Sequence, residues 1–263
     1  MTRQAIRLEE ARLLGIGDIT DYTAVHERHR AFPAIFANRG HKRILDVAAG
    51  VGCAAKKIHE LYPAELICND ISPTCLRILK GMGLTTTSFD IDVEDQPFPF
   101  PDGHFDAVLA LATIEHVISI DHFIQEMHRI LSKNGYLYIS APNYTGLLYL
   151  RKFLLSGKTF HDPMAGPANR YEFYAHVRYF TYRTMIEWVS SFGFAPDTVY
   201  LAAPKESTSY LSMYSKSKAK ALAFRYAMTL MYKILGPRWA AEPIICFQKG
   251  RPGEARKPCT VVV

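Results

Sequence analysis

The stretch from Ile44 to Gly52, ILDVAAGVG, restricts the fold of this chain more than any other. Ile44, Leu45 and Val47 have the apolar, partly β-branched character of a buried strand. The strand runs into Gly50 and Gly52 and then into a helix-compatible segment, CAAKKIHE. Glycine lets a backbone approach a ligand closely, and the first turn of the following helix points its orphan N–H groups at whatever lies there. Strand, glycine turn and helix therefore form a cradle. Asp46, just before the turn, suits a bare phosphate poorly, so the expected ligand also carries a positive or hydrogen-bond-donating group.

An alternation of strands and helices begins at residue 41. A strand over 43–48 is followed by a helix over about 52–61, and a second strand, ELICND, ends at Asp70. Ser72 caps the next helix, Pro73 takes its first position and Gly81 closes it. A third strand, TTTSFDID, ends near Asp92. The proline-rich loop QPFPFPDG leads to a fourth, FDAVLAL, ending at Leu111. Asp121 is expected to cap the helix DHFIQEMHRIL, SKNG to turn the chain, and YLYISAP to form a fifth strand. This alternation implies right-handed crossovers and an α/β fold with a parallel sheet covered on both faces. Ligands of such sheets bind beyond the carboxyl ends of the strands. Asp46, Asp70, Asp92 and the segment after Leu111 are then neighbours in space.

Additions surround this core. Two helices, over 4–14 and 22–38, precede it as an N-terminal helical cap, residues 1–40. The core domain spans 41–249 and carries two insertions. The first, 143–180, is rich in Tyr, His and Arg with one helix at about 145–156. A helix from Thr181 to Gly193 and a sixth strand, DTVYLAA, lead to the second, 205–240, which is mostly helical. A last strand, PIICFQK, is read as antiparallel, and the tail 250–263 as disordered.

Composition narrows the functions open to such a domain. The net charge of +6 is spread along the chain, without the clustered patch that announces a nucleic-acid partner. The five cysteines follow no metal-ligand spacing, so they read as free thiols in a reducing compartment and the protein as metal-independent. The charged N-terminal residues hold no apolar signal core, and no run reaches the length of a membrane span. The expected location is the cytoplasm.

Gly50, Gly52 and Ala55 also spell G-x-G-x-x-A, and Asp70 lies 20 residues beyond Gly50, which alone would be a dinucleotide fingerprint. Asp46 inside the strand, Asp92 at the third strand end and PFPFPDGHFDAVLALATIEHV argue against a nicotinamide enzyme. Together with ICNDISPTCL, HRILSKNGYLYISAPN and HVRYFTYRTMIEWVSSFGF, these stretches resemble the class I S-adenosylmethionine-dependent methyltransferases, in particular the branch of quinone-type and small-molecule enzymes. The resemblance covers about residues 42–195. It implies a Rossmann-like, seven-stranded, mostly parallel sheet with an antiparallel last strand. One departure is Ala48, where the family more often has glycine.

The resemblance also assigns roles. Asp46 and the backbone from Ala48 through Gly50 to Gly52 would hold the methionine part of S-adenosyl-L-methionine, including its ammonium group. Asp70, with Ile71 beside it, would accept the ribose hydroxyls. Asp92 and the backbone of Val93 would read the adenine edge, and Leu111 and Ala112 would line the methionine side. His116 in IEHV is the candidate catalytic residue, either a substrate-facing base or a residue that fixes its loop by hydrogen bonds. Tyr22, Tyr144, His161, Tyr171 and His176 are candidate substrate-binding residues that sequence cannot rank.

The aromatic caps point to an enclosed, hydrophobic or aromatic small-molecule acceptor, most often methylated at oxygen. Residues 207–238 mix large apolar residues with Lys216, Lys218, Lys220, Arg225, Lys233 and Arg238. That segment reads as a lid or dimer helix, or as an amphipathic helix lying on an anionic membrane to collect a lipid-like acceptor. A monomer or a homodimer is compatible with either. A methyltransferase fold that binds without catalysing is the rival from another class.

Overall fold

A computed structural model describes residues 3–158, 162–166, 170, 174–250 and 257–263. One sheet organises it, in the order β3-β2-β1-β4-β5-β7-β6-β8. The strands are β1 (Arg43–Val47), β2 (Glu65–Asn69), β3 (Thr85–Thr87), β4 (Phe105–Leu111), β5 (Leu131–Ser140), β6 (Phe194–Leu201), β7 (Ile244–Lys249) and β8 (Cys259–Val262). β1 pairs in parallel with β2 and β4, and β4 with β5, while β7 runs antiparallel between β5 and β6. This is the expected Rossmann-like order with an antiparallel last core strand.

Alternation along β1 splits the core. Leu45 and Val47 pack with Val108, Phe123 and Met127 on one face, and Ile44 packs with Ala55, Ile58 and Leu109 on the other. Both faces are covered, so the strands read as continuous apolar runs rather than as alternating ones. The covering helices are α3 (Cys53–Leu61) and α4 (Pro73–Gly81) on the second face and α5 (Ile120–Ile130) and α7 (Tyr182–Ser191) on the first. In α5 the buried Phe123, Ile124, Met127 and Ile130 recur at helical spacing.

Several elements differ from the expectation. The helix read over 22–38 is the short α2 (Glu27–Ala31) followed by a 3-10 turn, Ala34–Phe36. Pro33 disfavours helical geometry at Phe32, whose backbone is extended. β3 stops at Thr87, short of Asp92, because the Asn69 side chain takes over the pairing. Its Nδ2 donates to the Phe89 carbonyl at 3.2 Å and its Oδ1 accepts the Phe89 N–H at 3.0 Å. Ser119, not Asp121, stands at the N-cap of α5. The SKNG residues lie within β5, beside a register shift against β4. β6 starts at Phe194, with its own register shift at Pro196.

The tail was expected to be disordered. Its described end instead forms β8, pairing in parallel with β6 and making the sheet eight-stranded. The Val263 N–H donates to the Leu201 carbonyl, and the Val263 carbonyl accepts from Ala203.

The caps converge on the carboxyl ends of the strands. α1 (Arg3–Arg12) lies over the β1–α3 turn, where Leu13 packs on Val51, Cys75 and Ile78. The insertion after β5 begins with α6 (Leu147–Ser156), and the one after β6 holds α8 (Thr208–Lys216) and α9 (Lys218–Leu235). Buried Asn143 joins both. Its Nδ2 donates to the carbonyls of Arg238 and Ala240, and its Oδ1 accepts the Tyr182 N–H.

Candidate active site

The cradle is built where β1 ends. Ala48, Gly50 and Gly52 have φ of 54°, 59° and 83°, so three residues within five take the left-handed region. An alanine there is strained, which is the reason glycine is common at position 48 in the family. The two glycines serve different needs. A Cβ on Gly52 would lie 2.7 Å from Leu79 and from Met82, whereas one on Gly50 would meet nothing within 4 Å. Gly52 is required by packing. Gly50 faces open space, where a ligand would approach the backbone.

Two carboxylates border that space. Asp70 accepts the Gly50 N–H through Oδ2 and the Ser72 N–H through Oδ1, each at 2.8 Å, so the glycine turn and the start of α4 hold its plane. Burial nevertheless lifts its carboxyl above the ordinary range, with Glu9 of α1 adding to the rise. Asp46 is buried, and its carboxyl is pushed up to about 7 by desolvation and then by the charge of Asp70. A cation arriving between them would relieve both. The open face at Gly50, the paired carboxylates and the N–H groups of the first turn of α3 fit the aminoacyl and ribose parts of S-adenosylmethionine.

Asp92 is differently engaged. Its Oδ1 accepts the N–H groups of Ile118 and Ser119, at 2.9 and 2.6 Å, so this carboxylate fastens the start of α5. Val93 beside it is partly exposed. At the end of β4, Ala112 has a φ of 51°, a second strained alanine at a strand end facing the site. Its N–H donates to the Ser140 carbonyl at 3.0 Å and to Ser140 Oγ at 3.2 Å. Leu111 and Ala112 are half-buried, and Ile71 is likewise partly exposed.

A polar cluster lies beyond the end of β4, the strand paired beside β1. Buried Glu115 and half-buried His116 lie on the 3-10 turn after β4, and buried His176 lies on the segment before α7. The two imidazoles meet edge to face at 4.7 Å, and His116 Nδ1 pairs with the Ala175 carbonyl at 2.9 Å. This bond ties the turn carrying His116 to the segment carrying His176. Tyr144 Oη stands 3.5 Å from His176 Nδ1, with Tyr149 and Tyr179 against its ring. Tyr22 packs with Leu13 and Val51 at the other side and accepts a 3.4 Å hydrogen bond from Arg12. His161 and Tyr171 lie outside the described residues.

Sequence reasoning missed four members. Arg28 of α2 donates to both oxygens of Glu242, at 2.8 and 2.7 Å, and Glu242 accepts from Ser140 Oγ at 3.1 Å. These bonds join α2, β5 and the segment leading into β7. Burial would lower the Arg28 pKa, but the attraction of Glu242, with Glu115 adding, raises it above the ordinary value. The Tyr149 hydroxyl is pushed up by burial and by Glu242, Tyr144 and Glu115. Only the clustering of basic and aromatic residues around 22–32 hinted at Arg28. Glu115 stood beside His116 in IEHV, and nothing local marked Glu242 or Tyr149.

Fold and cradle together define a class I, S-adenosylmethionine-type methyltransferase domain. A family model described as a methyltransferase domain matches residues 18–199, and the chain belongs to that family. The malonyl-[acyl-carrier protein] O-methyltransferase of Geobacter sulfurreducens is 30% identical over 126 residues, 46% of this chain and 47% of that protein. The ubiquinone/menaquinone biosynthesis C-methyltransferase UbiE of Edwardsiella ictaluri is 27% identical over 118 residues, 41% of this chain and 47% of its own length. The chain thus spans about half the length of the curated relatives it matches. A solved structure from Thermotoga maritima, a methyltransferase described as a possible histamine N-methyltransferase, shares the fold. It has a TM-score of 0.56 at 15% identity and covers 94% of this chain and 93% of that one.

Proposed function

We propose that this protein transfers the sulfonium methyl of S-adenosylmethionine to a small, largely apolar acceptor, at an oxygen. The observation that carries this reading is two unlike features beyond the ends of paired strands: an open cradle at Gly50 after β1, and a cluster of Glu115, His116, Tyr144 and His176 after β4, with tyrosines against Tyr144. S-adenosylmethionine supplies a methyl group on a positively charged sulfur, which a nucleophile attacks in line as the sulfur takes the bonding pair. The chain's own residues align and desolvate. Asp46 and the turn 48–52 hold the aminoacyl end and Asp70 the ribose. Asp92 and Val93 border the adenine, and the caps exclude water. His116, with Nδ1 donating to the Ala175 carbonyl, keeps Nε2 as the nitrogen that meets the acceptor's hydroxyl. The relatives act, by their names, at oxygen, at carbon and at nitrogen, and the polar cluster favours oxygen. Transfer of labelled methyl to a panel of phenols and hydroxy acids tests the reading. Turnover should drop about 10²–10⁴-fold in His116→Ala, and activity unchanged in that variant would remove His116 from the chemistry.

A second reading places the acceptor in a membrane. Phe153, Leu154 and Leu155 of α6 and Leu222, Tyr226 and Ile234 of α9 are exposed. Residues 207–241 carry six Lys or Arg and no Asp or Glu. No described helix is long and apolar enough to cross a membrane, so contact would be at the surface. Co-sedimentation with anionic vesicles, lost in a Lys216→Glu, Lys220→Glu, Arg225→Glu variant, is the expected result if lipid presents the acceptor. Equal recovery with neutral vesicles would discard it.

A further inference from the structure

Spacing along the chain gave no reason to expect a metal, but the fold assembles one carboxylate and two imidazoles that spacing could not pair. Glu115, His116 and His176 each offer a ligand atom, and the three atoms lie within 4.8 Å of one another. We infer that these residues bind a divalent first-row transition cation beside the acceptor site, an inference that rests on the methyl-transfer reading above.

Three features support it. Donor atoms held at about 2.0–2.2 Å from an ion stand roughly 3–4 Å apart, so a contraction of about 1 Å brings this set to ligating spacing. The residues next to both imidazoles are fixed: His116 Nδ1 pairs with the Ala175 carbonyl, and the carbonyl of Glu115 accepts the N–H groups of Val177 and Arg178. The two segments are thus laced together. A neutral imidazole that donates Nδ1–H to a carbonyl has its tautomer and ring plane set and presents Nε2 as a ligand, the usual outer support of metal-bound histidine. Nearby Arg28 holds Glu242 with two short contacts, so the strongest pull of that cation is on a carboxylate outside the triad.

Two nitrogens and one carboxylate suit Zn2+, Mn2+ or Fe2+ better than Mg2+ or Ca2+, which prefer all-oxygen sets. Three protein ligands leave positions open toward the acceptor. A cation there would lower the pKa of a hydroxyl or enol acceptor. The proton then leaves to solvent, the oxygen forms its bond to the methyl carbon, and the carbon–sulfur pair stays on sulfur. His116 is then a ligand and not the proton acceptor.

The test uses the full, untagged chain stripped with EDTA. Mn2+ titration followed by electron paramagnetic resonance should show one site per chain, weakened at least tenfold in His176→Ala and in Glu115→Gln. Zn2+ should compete and Mg2+ should not. S-adenosylmethionine affinity by calorimetry should change less than twofold in both variants, showing that fold and cradle survive. Should either variant fail to bind the cofactor, Cu2+ bound to the wild type decides, with hyperfine coupling to two imidazole nitrogens expected. Absence of a stoichiometric site, or equal binding in wild type and His176→Ala, overturns the inference. In that event methyl transfer that is indifferent to EDTA leaves the methyltransferase reading standing. Failure of the wild type to bind S-adenosylmethionine overturns that reading instead.

Discussion

Asp46 and Asp70 lie at the ends of adjacent strands, and burial and then the charge of Asp70 make ionisation of Asp46 costly. The Asp46 carboxyl is held at about 7 in the folded chain against an ordinary 3.8. The folded state therefore binds this proton more tightly than the unfolded one, and stability falls as pH rises from about 4 to about 7. Asn does not titrate. Asp46→Asn should match the wild type near pH 4 and be more stable at pH 8, by at most about 4 kcal/mol, in urea denaturation of the cofactor-free protein. The same variant should bind S-adenosylmethionine at least tenfold more weakly, since the ammonium group loses its counter-charge. Binding should also report the proton. Below pH 7 the carboxyl must give up its hydrogen to receive a cation, so wild-type affinity should fall up to about tenfold per pH unit between 7 and 5. Calorimetry in two buffers should then show about one proton released at pH 6 and none at pH 8.5, and no release at either pH in Asp46→Asn.

The strand–turn–helix units divide this labour among backbone positions. Gly52→Ala places a methyl against Leu79 and Met82 at a φ of 83°, and should cost about 1–3 kcal/mol of stability, read by thermal melts. Gly50→Ala meets no atom within 4 Å, so it should cost about 1 kcal/mol from its φ alone and act chiefly by blocking the cofactor. Equal loss of cofactor binding with equal stability in the two variants would contradict this division. Elements of this kind were legible in the sequence because their signals are local. Ser72-Pro73 marks a helix start, and the apolar run of β1 marks a buried strand. What was not legible depends on partners far along the chain. β3 ends early because Asn69 captures Phe89. Asp92 looked like a free strand-end acid but is taken by Ile118 and Ser119. The four residues of β8, Cys259–Val262, are mostly β-branched but too few to declare a strand alone, and they pair only against the edge that β6 offers. The polar cluster is the strongest case: Arg28 and Glu242 lie 214 residues apart.

At the scale of the molecule, the sheet supplies the floor and the strand-end turns, and the caps pack over its carboxyl edge. α1 is the cap with the clearest attachment. Glu10 accepts from Ser72 Oγ at 2.5 Å, from Thr74 Oγ1 at 2.7 Å and from the Thr74 N–H at 3.2 Å. These bonds outweigh its burial and keep its carboxyl below the ordinary range. Arg77 adds hydrogen bonds to the carbonyls of Ile16 and Gly17. The helix is thus strapped to the start of α4, the same helix whose first turn lies beside Asp70. Because its carboxyl is held below the ordinary range, Glu10 should keep the strap closed through mild acid, and Glu10→Ala should loosen it at neutral pH. The expected effect is on timing. A spent cofactor held beneath α1 would leave only as that helix lifts, so its residence time would follow the strength of the strap. In stopped-flow displacement, Glu10→Ala should release the demethylated cofactor several-fold faster while leaving single-turnover methyl transfer within about twofold. A molecule arranged in this way would keep its clock in α1, well away from the bonds it makes and breaks.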